Sequence, residues 1–167
     1  VRGEAMYTST GLFGFAKEAS FMNLKLENIQ IQGNAYTGGL VGMAEGSTLI
    51  ENCSIDGNSL IVGSDKSLIK GPVTSHSSSG AGGLVGYATD IRVFDSGSSA
   101  QVGTEDNLGD FSVSRTGGIG GECANIVMKR CYYDGVLFGS SRVGGLTGMV
   151  RTEKLEDCYF NGTIKGN

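Results

Sequence analysis

A glycine-rich motif recurs along the chain and constrains its fold more than any other feature. The copies read GLFG, GGLVG, GGLVG, GGIGG and GGLTG and occupy residues 11–14, 38–42, 82–86, 117–121 and 144–148. Their central apolar residues are separated by 28, 44, 35 and 27 positions: Leu12, Leu40, Leu84, Ile119 and Leu146. Recurrence of this kind indicates stacked, similar units in place of a single globular core.

The similarity between the units continues beyond the glycines. Four positions after the central residue stands a small or apolar one: Ala16, Ala44, Ala88, Cys123 and Val150. Further on, a second column reads Leu24, Cys53, Ser96, Cys131 and Cys158. The residues directly before that column are Asn23, Asn52, Asp95, Arg130 and Asp157, four of which are Asn or Asp. A pattern that matches at several positions in register predicts one shared layout for every unit.

The length of the unit selects the architecture. About 27 residues hold three strands of five or six residues with their turns, which is one coil of a parallel β-solenoid. The sequence therefore predicts an all-β single domain over residues 1–167, a β-helix of about five coils with three short strands each. The predicted repeats are 11–37, 38–81, 82–116, 117–143 and 144–167, with insertions at about 64–81 and 104–116. An antiparallel sandwich would explain the strands without explaining the common register.

The glycines then have a structural explanation. Glycine tolerates φ > 0 and lets backbones approach closely, and a sharp corner repeated in every coil requires such a residue. A phosphate-binding loop needs G-x-x-x-x-G-K-[ST], or G-x-G-x-x-G between a strand and a helix. The nearest match, GGIGGE at 117–122, leads into a strand-like run. We expect the motif to shape the chain and not to bind nucleotide.

Three segments also resemble a known repeat family. The stretches at 11–31, 36–57 and 143–162 are similar to GLUG repeats, which are named for a Gly-Leu-x-Gly core followed by an Asn-Cys/Leu strand. Two positions depart from that pattern: Gly120–Gly121 in the fourth copy and Ser96 in the third. The resemblance implies a noncatalytic module of a large exported bacterial surface protein, as in zinc metalloproteases that cleave immunoglobulin A.

Candidate catalytic and cofactor residues are lacking. A zinc protease needs H-E-x-x-H, and the chain has one histidine, His76, in the polar segment VTSHSSSG. Carboxylates such as Glu51, Asp56, Glu153 and Glu156 fall at turn or outward positions, where they are expected to be solvated surface groups. We predict no catalytic residue, no cofactor and no metal site. The acidic run Glu105–Asp110 supplies oxygens that calcium prefers, but its spacing fits neither an EF-hand loop nor a nonapeptide calcium repeat.

Four cysteines leave two interpretations open. Cys53, Cys131 and Cys158 share one column and Cys123 stands in another, without any C-x-x-C pair. Since Leu24 and Ser96 also occupy that column, small buried thiols are favoured. Adjacent coils would nevertheless place Cys131 beside Cys158, so an exported protein could join them in a disulfide.

An interaction surface is predicted on the far side of the glycine-motif strands. If the central Leu points inward, strand alternation turns its neighbours outward. The predicted interaction residues are Phe13, Phe15, Val41, Met43, Val85 and Tyr87. Such an apolar stripe would bind another domain or be covered by a flanking segment.

The net charge of the chain narrows the classes of partner that we expect. A formal charge of −4 and a pI near 5.0 disfavour nucleic acid, and no apolar run is long enough to span a bilayer. The GLUG-repeat resemblance implies an extracellular spacer or scaffold module of an immunoglobulin A-cleaving type metalloprotease, secreted or attached to the bacterial cell wall. Its partners would be neighbouring domains and a host protein such as immunoglobulin A. The alternative is an adhesin module that binds host protein or glycan through its inserted loops.

Overall fold

The computed structural model describes residues 8–33, 35–63, 80–105 and 114–166. Within these ranges the protein is all-β, and every paired strand runs parallel to its neighbours. The strands form four sheets, and the chain visits them in the same order in each of five successive passes. The passes comprise residues 8–33, 35–63, 80–105, 114–139 and 143–166. This regular stacking of parallel strands is a β-helix-like architecture.

Each sheet takes strands from all five passes. Sheet 1 contains β1 (Ser9–Thr10), β6 (Tyr36–Gly38), β11 (Gly80–Gly82), β15 (Arg115–Gly117) and β19 (Val143–Gly144). Sheet 2 contains β2 (Phe13–Lys17), β3 (Ser20–Met22), β7 (Val41–Glu45), β8 (Leu49–Glu51), β12 (Val85–Phe94), β16 (Gly120–Lys129), β20 (Thr147–Val150) and β21 (Glu153–Glu156).

The remaining two sheets take the later strands of each pass. Sheet 3 contains β4 (Lys25–Leu26), β9 (Ser54–Ile55), β13 (Gly97–Ser98), β17 (Tyr132–Tyr133) and β22 (Tyr159–Phe160). Sheet 4 contains β5 (Gln30–Gly33), β10 (Leu60–Gly63), β14 (Gln101–Val102), β18 (Val136–Gly139) and β23 (Thr163–Gly166). The prediction of three strands per unit is therefore wrong in number. The residues just before each glycine motif pair as a sheet of their own.

The columns predicted from the sequence match the strand register of the structure. Ala16 pairs with Ala44, Ala44 with Ala88 and Ala88 with Cys123, as the sequence alignment required. The core lies between the sheets and consists of equivalent side chains stacked along the passes. Leu40, Leu84 and Ile119, for example, are 1%, 0% and 0% exposed. Neighbouring passes thus bury each other's apolar side chains, which is how units too small to fold alone form one core.

The two predicted insertions fall mostly outside the described residues. The strands on either side of them are described. The first undescribed range, 64–79, comes between β10 and β11, and the second, 106–113, comes between β14 and β15. Both insertions therefore occur at the connection from sheet 4 to sheet 1. His76, and the residues Asp106, Asn107 and Asp110 of the acidic run, also lie outside the described ranges.

Candidate interaction surface and the ladders that build it

The glycine motif forms the tight corner between sheet 1 and sheet 2. A Cβ atom built on Gly86 would lie 2.4 Å from the backbone nitrogen of Thr37, and one built on Gly42 would lie 2.4 Å from that of Thr10. Neither glycine has a positive φ. The motif is needed because two backbones approach closely, and not because of glycine's access to left-handed conformations.

The amide groups of this corner are already paired. Leu40 N donates to Leu84 O at 3.0 Å, Leu84 N donates to Ile119 O at 3.0 Å, and Gly39 N donates to Gly83 O at 3.1 Å. A phosphate loop presents free N–H groups to its ligand. The corner instead uses them to hold the next pass, which supports its structural interpretation.

One left-handed corner lies in the Asn/Asp column. Asn23, Asn52, Asp95, Arg130 and Asp157 have φ values of 60°, 52°, 49°, 52° and 54°. Asn and Asp tolerate this region better than other non-glycine residues, because their short polar side chains bond locally. The column therefore marks the bend from sheet 2 to sheet 3.

Arg130 departs from that preference and is held by a partner. Its Nε and Nη2 atoms donate to the two carboxylate oxygens of Asp95, one pass earlier. The hydrogen bond from Arg130 lowers the pKa of Asp95 below its ordinary value, and the same bond raises the pKa of Arg130. A parallel ladder contact joins Asn52 Nδ2 to Asn23 Oδ1 at 2.7 Å.

The adjoining column of Cys and Ser supplies hydrogen-bond donors at the same bend. The Cys53 thiol donates to the carbonyl of Glu51 at 3.3 Å, and Ser96 Oγ donates to that of Phe94 at 2.6 Å. The Cys131 and Cys158 thiols contact the carbonyls of Lys129 and Glu156 in the same way, at 3.4 and 3.3 Å. The Cys and Ser side chains at this position thus add a second hydrogen bond to the carbonyl before the left-handed residue, which also accepts a backbone N–H from the preceding pass. All four cysteines are free thiols in the structure.

The predicted interaction stripe is not a continuous exposed surface. Phe13 and Phe15 are 41% and 56% exposed, but Val41 and Val85 are 0% and 1% exposed and belong to the core. Met43 and Tyr87 are half-buried. The outward orientation predicted for the two valines is therefore wrong. Leu40 and Leu84 lie in a bend before the strand begins, where the alternation rule does not apply.

Sheet 1 partly covers the stripe. The ring of Tyr36 in β6 packs against that of Tyr87 in β12, with centroids 4.8 Å apart, and Tyr36 is 6% exposed. The cover anticipated as a flanking segment is thus a strand of the neighbouring sheet. The exposed part of the stripe is confined to Phe13 and Phe15 in the first pass.

Sequence reasoning missed an ion pair in the same layer. Arg115 Nη1 lies 3.0 Å from Glu122 Oε2, and the two side chains are 12% and 11% exposed. Glu122 stands in register with Tyr87 and Met149, and Arg115 Nε contacts the Met149 sulfur at 3.1 Å. The sequence feature that could have revealed this ion pair is Glu122 itself, a carboxylate in an otherwise apolar column.

Four carboxylates of the described residues have structural partners. Asp56 accepts a hydrogen bond from Ser59 Oγ, which lowers the pKa of Asp56, and Glu156 pairs with Lys129. Glu153 accepts from Thr147, while burial raises its pKa. Glu105, from the acidic run, lies 3.7 Å from Lys165. No cluster of metal-ligating side chains occurs among the described residues.

One open hollow lies at the bend inside sheet 2. It has a volume of about 360 Å³, and Asp90, Arg92 and Asn125 line it together with Ser47. Asn125 Nδ2 donates to Asp90 Oδ1 within this hollow. The arrangement offers hydrogen-bonding groups to a polar molecule, but it pairs no base with a nucleophile.

Comparison with known proteins adds no relative. No family model, no curated protein and no solved structure matches the chain, so the GLUG-repeat resemblance has no support beyond the residues that suggested it. In the parts of the chain that the structure describes, no helix is long and apolar enough to cross a membrane.

Proposed function

We propose that the protein is a noncatalytic spacer and scaffold module, a parallel β-solenoid of five coils that holds neighbouring domains at a set separation. The observation that carries the proposal is the unbroken register from pass to pass. Ile119 N donates to Leu146 O at 2.8 Å, which continues the series of Leu40 to Leu84 and Leu84 to Ile119. A rod of five coils would extend roughly 24 Å at about 4.8 Å per strand.

The use of the polar groups supports a structural role. Two pairs of carboxylates and cations in register bond to each other across passes, Arg130 with Asp95 and Lys129 with Glu156. Catalytic sites leave acids and bases free to meet a substrate, with carboxyl groups arranged on one face. The ladder pairs instead tie each coil to the next.

The two ends of the stack support contact with other domains. Leu12 is 53% exposed, although Leu40 and Leu84 in the same column are buried. In the last pass Leu155, Phe160 and Ile164 are 45%, 38% and 44% exposed. Apolar faces of this kind are typical of surfaces that another domain covers. Neighbouring domains of the same protein are therefore the proposed partners.

The kind of protein that contains this module is proposed from sequence resemblance. Because Gly-Leu-x-Gly segments such as 143–162 resemble GLUG repeats, we place the module in an exported bacterial surface protein. An immunoglobulin A-cleaving type metalloprotease is the leading candidate for that protein, and immunoglobulin A is a candidate contact of the module. The supporting feature is the motif itself at residues 38–42, 82–86 and 144–148.

Removal of one coil tests the spacer function. Thr116 pairs with Val143 and Gly117 with Gly144, so deletion of residues 117–143 joins Thr116 to Gly144 without a change of register. The whole chain and the deletion variant are each placed between two fluorescent proteins. The proposal predicts that the variant stays β-folded by circular dichroism and that energy transfer rises, since the spacer is about 4.8 Å shorter.

A matched deletion serves as the control. Removal of residues 117–129 takes out half a coil, breaks the register and is expected to unfold the neighbouring passes. If the one-coil deletion unfolds like the half-coil deletion, or if it folds with unchanged energy transfer, the spacer proposal is wrong.

A further inference from the structure

The cysteine column contains one pair of neighbours. Tyr159 N donates to Cys131 O at 3.0 Å, and Lys129 and Tyr132 pair with Glu156 and Tyr159, so Cys131 and Cys158 occupy equivalent positions of adjacent passes. Parallel strands are about 4.8 Å apart, which lies within the Cα separation of about 4.4–6.8 Å that a disulfide spans.

The other cysteines have no such neighbour. Cys53 stands between Leu24 and Ser96 in the column, and its backbone N–H donates to Ser96 Oγ at 2.9 Å. Cys123 pairs in register with Ala88 and Val150. The chain contains four cysteines, so Cys131 and Cys158 are the only two in adjacent register.

We propose that Cys131 and Cys158 form an oxidative modification site, at which a small-molecule disulfide converts the two thiols into a disulfide that joins the last two passes. The order of events follows from exposure: Cys158 is half-buried, whereas Cys131 is 0% exposed. An external disulfide therefore reaches Cys158 first.

The exchange has two balanced steps. The Cys158 thiolate attacks one sulfur of the external disulfide, which releases one small thiolate and leaves a mixed disulfide on Cys158. The Cys131 thiolate then attacks the Cys158 sulfur and releases the second small thiolate. Two protein thiols are oxidised, one external disulfide is reduced to two thiols, and the two protein protons end on those products.

The chemistry of Cys131 agrees with this order. Burial raises the pKa of Cys131 to about 12, so at neutral pH this thiol is almost entirely protonated. It acts only as the resolving group, once a mixed disulfide stands beside it. To close the bond, its Sγ must leave the carbonyl of Val93, which it contacts at 3.1 Å.

Peptide mass spectrometry after exposure to oxidised glutathione tests the proposal. The native chain is incubated at pH 8, quenched with acid, unfolded and alkylated without reduction. We expect two of the four cysteines to escape alkylation, and a linked peptide pair that contains Cys131 and Cys158. Deuterium exchange of amides in 144–166 should be slower in the linked form.

Serine variants provide matched controls, because Ser96 already occupies the same column. Cys158→Ser and Cys131→Ser should each abolish the linked peptide, whereas Cys53→Ser should leave its yield unchanged. Glutathione that stays on Cys158 without a link, a link that involves Cys53 or Cys123, or a link that forms only after unfolding would each overturn the proposal.

Discussion

Asn52 donates a hydrogen bond of 2.7 Å from its side-chain amide to the amide oxygen of Asn23, and both residues have left-handed backbones. The two residues are 29 positions apart in the chain and occupy one column of adjacent passes. The contact links the local requirement for a bend to the stacking of passes. A bend-forming residue here thus also connects one unit to the next.

Replacement of Asn52 should separate these two roles. Asn52→Ala places an ordinary residue at φ 52° and removes the ladder bond, so the free energy of unfolding should fall by about 1–2 kcal/mol. Asn52→Gly keeps the left-handed backbone without strain and should cost less. Urea unfolding of the two variants measures the difference. An alanine variant as stable as the glycine variant would show that the backbone conformation is unimportant.

The corner glycines should tolerate no side chain. Gly86→Ala would place a Cβ 2.4 Å from Thr37 N, and the resulting displacement of two backbones should cost about 1–3 kcal/mol or more. Gly57→Ala is the matched control, because its Cβ would meet its nearest atom, Ser99 O, at 3.6 Å. Thermal unfolding followed by circular dichroism compares them. Equal melting temperatures for the two variants would contradict the close approach at Gly86.

The partly exposed pair of Arg130 and Asp95 predicts a pH dependence. The pKa of Asp95 is lowered in the folded protein, so its stabilising contribution is present above the ordinary pKa of 3.8 and is lost as pH falls through the folded value. Arg130→Gln should therefore be less stable than the parent at pH 6, and the difference should shrink below pH 3.8. Urea titrations at several pH values provide the measurement. A stability difference that stays constant down to pH 2 would show that the ionised Asp95 carboxylate is not what makes Arg130 stabilising.

Replacing only one residue of the nearly buried pair of Arg115 and Glu122 should lower the free energy of unfolding strongly. Glu122→Leu leaves the guanidinium of Arg115 without its carboxylate, and breaking a buried pair in this way costs about 3–5 kcal/mol. The double variant Arg115→Met with Glu122→Leu removes both charges and should recover most of that loss. A double-variant cycle by chemical unfolding gives the coupling. Additive losses would show that the two charges do not depend on each other.

The sequence predicted the columns better than it predicted the layers. Alignment of Ala16 with Ala44 and Ala88 gave the register directly, since a repeated unit must stack equivalent residues. It could not show that Tyr36 lies over Tyr87, because that contact depends on how sharply the chain turns between two sheets. For the same reason it placed Val41 and Val85 on the outside, when both are in the core.

The bend residues show a similar division. The preference for Asn or Asp at 23, 52, 95 and 157 was visible in the sequence, and the left-handed conformation explains it. Arg130 breaks the preference and is accounted for only by its contact with Asp95, a residue 35 positions away. Pair contacts of that kind require the register before they can be recognised.

The central claim, a parallel in-register stack, is tested most directly by NMR couplings across hydrogen bonds. The account predicts a scalar coupling between the amide nitrogen of Leu40 and the carbonyl carbon of Leu84, and another between Leu84 and Ile119, at N–O distances of 3.0 Å each. An antiparallel arrangement would join different residues. Couplings from Leu40 and Leu84 to other carbonyls, with none between these pairs, would contradict the stack.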